Sequence, residues 1–125
     1  MTTTAPTSTP QLPTEVVTRT PVRDVDLPAG AGTLALITLD NGLDHTRPNT
    51  FGAQGIAALH EAVDALRARA EAGEIQAVGI TGKPFIFAVG ADRSGVPYVT
   101  RREQATGIAR AGHAAFAAIM DLPVP

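Results

Sequence analysis

The stretch from residue 33 to residue 80 limits most strongly what this chain can fold into. Thr33 to Leu39 reads TLALITL, a short run apolar on both faces and bounded by turn residues, which is the pattern of a buried strand. Ile75 to Ile80, IQAVGI, has the same character. Between them Ile56, Leu59, Val63, Leu66 and Ala70 recur three and four residues apart, on one face of a helix, while His60, Glu61, Asp64, Arg67 and Glu71 lie off that stripe. A strand, a helix and a strand of these lengths form a βαβ unit, so the two strands should run parallel. The helix is predicted over residues 52–72, with Thr50 available to cap its start and Gly73 at the position just past its end.

The flanking segments are less regular. Glu15 to Val22 alternates weakly and is predicted as an edge strand, and Leu27 to Gly32 is a turn. Asp40 to Thr50, DNGLDHTRPNT, is a polar loop in which Arg47 is held extended by Pro48. Thr81 to Thr100 is a long loop rich in Gly and Pro, a kind that in compact domains is usually functional or disordered. A second helix is predicted over residues 101–121, with Ala105, Ile108, Gly112, Ala115, Phe116 and Ile119 on one face, and Ile108, Phe116 and Ile119 are expected to be buried. Leu122-Pro123-Val124-Pro125 ends it where the pattern calls for another parallel strand. A sheet of two or three strands would leave an open edge and an uncovered apolar face, so the expectation is an α/β domain present only in part. Residues 1–14, rich in Thr and Pro, are expected to be a disordered tail ahead of a domain portion spanning 15–125.

Composition removes several classes of function. The chain has 125 residues, a net charge of −2 and no cysteine. That size suits one domain, and the charge offers no basic stripe for nucleic acid or for an anionic membrane. The lack of thiols excludes disulfides, thiolate metal sites and a cysteine nucleophile, and fits a cytoplasmic protein. No run is long and apolar enough to span a bilayer. His45, His60 and His113 lack metal-ligand spacing, and no metal is expected. His60 and His113 read as helix-surface or packing residues, whereas Asp44 and His45 lie in a loop near the candidate site. Gly30-Ala31-Gly32-Thr33-Leu34-Ala35 precedes a strand, whereas a dinucleotide fingerprint follows one, and Gly82-Lys83 lacks the rest of a P-loop.

The segment with most chemical promise is Gly82 to Asp92, GKPFIFAVGAD, just after a buried strand, where open α/β sheets bind ligands. Gly90 permits a left-handed backbone or a close approach to a ligand, which can turn a neighbouring N–H into a cavity. FIFAVGAD resembles the first oxyanion-hole loop of the crotonase (enoyl-CoA hydratase/isomerase) superfamily, with one extra residue between Ala88 and Gly90 unless Val89 stands for the family's small residue. Leu34 to Leu39 resembles that family's first core strand, Arg47-Pro48-Asn49-Thr50 its turn into a helix, and Asp121 to Pro125 the lead into its next strand. Four pieces in the right order, from residue 33 to residue 125, carry the resemblance.

That resemblance implies an incomplete crotonase (ClpP/crotonase-like) β-β-α superhelix, with parallel core strands and helices packed on the sheet. It implies an enzyme acting on acyl-CoA, a hydratase or isomerase, in which two backbone N–H groups hold the thioester oxygen as it becomes enolate-like. The first donor falls at Ala91, and the loop backbone at Ala88, Gly90 and Asp92 is implicated in coenzyme A binding. Arg93 departs from the apolar residue usual at its position. The second donor and the acid–base carboxylates lie later in the family than Pro125, so this segment alone is expected to be inactive. Coenzyme A enters as part of the substrate and no cofactor is expected here; NAD would be used only if a 3-hydroxyacyl-CoA dehydrogenase domain followed, as in the fused members the segments also resemble. The family commonly forms homo-oligomers. The alternative from another class is a STAS-like, phospho-switched binding module, with Ser94 in Asp92-Arg93-Ser94-Gly95 near a helix start.

Overall fold

The computed structural model describes residues 14–125; the tail expected over residues 1–14 lies, but for Thr14, outside them. The βαβ unit is present. Strand β2 (Thr33–Leu39) is followed by helix α1 (Ala53–Glu71) and strand β4 (Ala77–Gly82), and β2 pairs in parallel with β4 from Leu34↔Ala77 to Leu39↔Gly82. The second strand starts two residues later than the sequence suggests because Ile75, 1% exposed, is spent as a core plug at the end of the crossover.

Ala35, Ile37 and Leu39 alternate along β2 and meet Leu59, Val63 and Leu66 of α1, and all six are at most 2% exposed. The strand's other face, with Leu34, Leu36 and Thr38, is only half-buried. Strand β1 (Val22–Asp26) joins antiparallel on the far side of β2, giving the sheet order β1-β2-β4. This corrects the edge strand expected over Glu15–Val22. Val22-Arg23-Asp24-Val25-Asp26 carries no apolar alternation because it is an exposed edge, and the residues before it do another task.

That task is to close the start of α1. Thr50 does not cap the helix; the cap position is Gly52, which has no side chain to offer. The carboxylate of Glu15 accepts instead from the N–H groups of Gln54 (3.0 Å) and Gly55 (2.9 Å). Buried Thr18 donates its hydroxyl to the Thr50 carbonyl at 2.7 Å. At the other end the left-handed Gly73 takes the expected place: its N–H bonds the Ala70 carbonyl, and that of Glu74 bonds Arg69 at 2.9 Å, the Schellman arrangement.

Helix α2 (Arg102–Met120) packs against α1, with buried Ala115 and Ala118 and half-buried Ile119. Arg67 of α1 fastens its end by donating to the carbonyls of Ala118 and Asp121, both at 3.0 Å. The expectation that Ile108 and Phe116 are core residues is overturned: they are 61% and 47% exposed. Residues 101–111 are exposed throughout, Ile108 among them, whereas Phe116, in the last two turns that reach α1, stands at the rim of the contact with its ring edge to face with Phe51 at 6.3 Å. The final residue touches the sheet, where Val78 N–H donates to the Pro125 carbonyl at 2.9 Å, on the edge of β4 away from β2. Among the described residues no helix is long and apolar enough to cross a membrane.

Candidate functional site

The loop expected over Thr81–Thr100 is not all loop. After β4 the chain makes a tight turn, Lys83-Pro84-Phe85-Ile86, closed by Ile86 N–H to the Lys83 carbonyl at 3.2 Å. Phe85, 94% exposed, sits there at φ 71°, a left-handed conformation that non-glycine residues adopt at a cost. Strand β5 (Ala88–Ala91) follows and pairs in parallel with the three-residue strand β3 (Asn49–Phe51). Two short segments, distant in sequence, thus form a second sheet that periodicity could not reveal.

The candidate residues fall on this strand. Ala88 is half-buried opposite Asn49, Gly90 and Ala91 are exposed, and Asp92 follows with its N–H bonded to the Phe51 carbonyl at 2.8 Å. The pairing runs Asn49↔Ala88 and Phe51↔Ala91, so two steps on β3 match three on β5. The strand therefore bulges between Ala88 and Ala91. Gly90 makes the bulge possible with φ 102°; a Cβ at this position would meet open space, so the requirement is conformational. Gly82 is needed for a different reason. A Cβ there would lie 2.1 Å from the Ile86 carbonyl oxygen and 2.6 Å from the Phe87 Cα, where the chain folds back over the end of β4.

Two polar residues that the sequence reading passed over hold this corner together. Asn49, 0% exposed, donates its amide hydrogens to the carbonyls of Leu39 (2.8 Å) and Phe87 (2.7 Å), and its oxygen accepts from Asn41 N–H at 2.9 Å. Lys83, 8% exposed, donates to the Asn41 side-chain oxygen and to the carbonyls of Leu43 (2.8 Å) and Arg47 (2.7 Å). A buried ammonium is tolerated only when its donors are filled, and here three oxygens of neutral groups fill them. Their partners lie far off in sequence, so no local signal marks them. The one hint is that Asn49 and Lys83 each lie within a motif segment.

An open cleft of about 350 Å³ adjoins the corner, lined by Asp40, Leu43, Asp44, His45, Lys83 and Phe85, among others. The Asp44 carboxyl lies below its ordinary value because the Thr46 hydroxyl and N–H donate to it. His45 meets Phe85 edge to face at a ring separation of 5.9 Å. This cleft and the exposed strand β5 flank the same turn. Phe87 and Val89 on and before the strand, and Val96 and Tyr98 a few residues after it, are apolar side chains left between 41% and 61% exposed. Ser94 precedes only a single 3-10 turn, Val96–Tyr98, and not the start of an α-helix as a STAS-like switch requires. Its N–H bonds the Asp92 carboxylate at 2.9 Å, and α2 begins only at Arg102.

Comparison with solved structures gives this geometry its context. The chain is similar to Pseudomonas aeruginosa DspI, with 25% identity and a TM-score of 0.61 over 82% of this chain and 38% of that one. It is similar to an enoyl-CoA hydratase/carnithine racemase from Magnetospirillum magneticum, with 24% identity and a TM-score of 0.66 over 83% of this chain and 36% of that one. A third solved chain, from Streptomyces coelicolor A3(2), aligns over 98% of this chain and 41% of its own at 19% identity and a TM-score of 0.61. No protein-family model and no curated protein matches. The chain has the crotonase-type α/β fold in part, and it spans about two-fifths of the length of these structures.

Proposed function

We propose that this chain forms the N-terminal part of an enoyl-CoA hydratase or isomerase, in which Ala91 N–H supplies one of two oxyanion donors to an acyl-CoA thioester. The observation that carries the reading is the bulged strand β5. It follows a parallel core strand in a fold shared with a hydratase, and it presents Gly90 and Ala91 at the surface beside apolar side chains. Such a donor is fixed before the reaction, so it stabilises charge developing on the thioester oxygen without reorganising. Hydration of a 2-enoyl-CoA in fatty-acid oxidation, in a cytoplasmic homo-oligomer, is the form of the activity that the resemblance implies. The loop backbone at Ala88, Gly90 and Asp92 would then contact coenzyme A.

The test is turnover of crotonyl-CoA by the complete enzyme that contains this sequence. Ala91→Pro removes the N–H and should cost roughly 10²–10³ in rate, whereas Ala91→Gly keeps it and should be mild. Near-normal turnover by the proline variant rules the assignment out. The 125 residues alone should give no turnover above a buffer blank, because acid–base groups contribute a further factor of about 10²–10⁴. Turnover by this segment would place an acid–base pair inside it, with Asp44, His45 and Asp92 the first residues to change.

A further inference from the structure

The pairing of β3 with β5 is too short and too irregular to fix where Gly90 and Ala91 point. It has two partnered positions, Asn49↔Ala88 and Phe51↔Ala91, with a register shift between them. We propose that Asn49 is the positioning residue of the strand that carries Ala91, and that Lys83 holds the frame in which Asn49 works. The inference rests on the reading of that strand as an oxyanion loop.

Asn49 joins three elements through one buried amide. Leu39, whose carbonyl it holds, is the last residue of the central strand β2, and Phe87, whose carbonyl it also holds, immediately precedes β5. The entry of β5 is thereby tied to the most buried strand of the molecule, four residues before Ala91. The third bond, from Asn41 N–H, sets the rotation of the amide plane, so both hydrogens aim at carbonyls. Asn41 is itself pinned: its amide nitrogen donates to the carbonyls of Arg47 (3.1 Å) and Pro48 (3.2 Å), and its oxygen accepts from Lys83. Every polar atom of the Asn49 side chain has a partner, and the loop that supplies one of them is crossed by the Lys83 ammonium. An oxyanion donor misplaced by about 1 Å loses most of its effect, so a rigid tether at the strand entry is what such a donor requires.

The experiment is amide hydrogen exchange followed by NMR on the 125-residue chain, comparing Asn49→Ala, Asn49→Asp and Leu66→Ala with the parent. Asn49→Asp keeps the volume and the acceptor but removes both donors and sets a carboxylate against two carbonyls. Both Asn49 variants should speed exchange at residues 87–92 by about ten- to a hundred-fold relative to residues 35–39, as expected for buried carbonyls left without donors. Leu66→Ala should speed exchange across β2, β4 and β5 together. Unchanged exchange at residues 87–92 in the Asn49 variants, or a rise as uniform as that of Leu66→Ala, overturns the proposal. If neither Asn49 variant folds, the parent decides. Asn49 side-chain hydrogens much slower to exchange than those of exposed Gln54 support the tether, and equally fast exchange refutes it. Because exchange does not read turnover, a failed Ala91→Pro test would sink the oxyanion reading and leave this result to stand or fall separately.

Discussion

The βαβ unit and the stretch after Phe85 contain similar kinds of residues and meet different fates. In the first, Ile37, Leu39, Leu59, Val63 and Leu66 are sealed from water by one another. In the second, Phe87, Val89, Val96, Ile108 and Phe116 stay at least 47% exposed. Hydrophobicity does not bury a residue; an opposing surface does. The βαβ unit carries its own opposing surfaces, because the helix returns the chain onto the strand it came from. The later stretch turns outward, and only the end of α2 finds a partner in α1. That exposure keeps Gly90 and Ala91 accessible.

The comparison is broken most directly at Leu59. Leu59→Ala should lower the unfolding free energy by about 2–5 kcal/mol in denaturant titration, because the helix cannot collapse onto a strand already packed. A loss as small as that of a surface residue would show that this core is not what holds the chain together. Gly82→Ala, at the junction of the two regions, should cost about 1–3 kcal/mol, since the new methyl group meets backbone that cannot swing aside. A neutral outcome would mean that the fold-back of residues 86–87 over β4 is loose. Ile108→Ala, by contrast, should change the unfolding midpoint by no more than about 0.5 kcal/mol. A cost in the core range would reveal that the face is covered in solution.

The smallest effect lies at the rim of the core and depends on pH. The Arg69 guanidinium donates to both oxygens of Asp24, at 3.1 and 2.7 Å, and holds its carboxyl below the ordinary value of 3.8. A carboxyl whose folded pKa is lowered adds stability above its unfolded pKa, and that stability is lost as pH falls through the folded value. The difference between the parent and Asp24→Asn should therefore be present at neutral pH and fade in acid below about pH 4. It should also shrink in salt, because the pair is exposed. A pH-independent difference would assign the effect to packing of the Arg69 stem.

What the sequence determined by itself is the part of the molecule governed by local period. Strand β2 begins and ends where its apolar run does, α1 falls within a residue of its expected bounds, Gly73 closes it, and the two strands run parallel. The resemblance of four ordered segments to the crotonase superfamily pointed to the fold that the solved structures share, and it drew attention to Ala88–Asp92 before any geometry was known. Tertiary structure decided the rest. Only packing could show that Glu15, not Thr50, closes the start of α1, that Pro21 is followed by the edge strand, and that Ile108 and Phe116 stay outside the buried core. It alone could pair Asn49 with Ala88, nearly forty residues away, and gather Asn41, Asn49 and Lys83 into one buried corner. The reason is physical. Periodicity records which face of an element is apolar, whereas a buried polar side chain is admitted only by the partners that reach it, and those partners are set by where the folded chain returns.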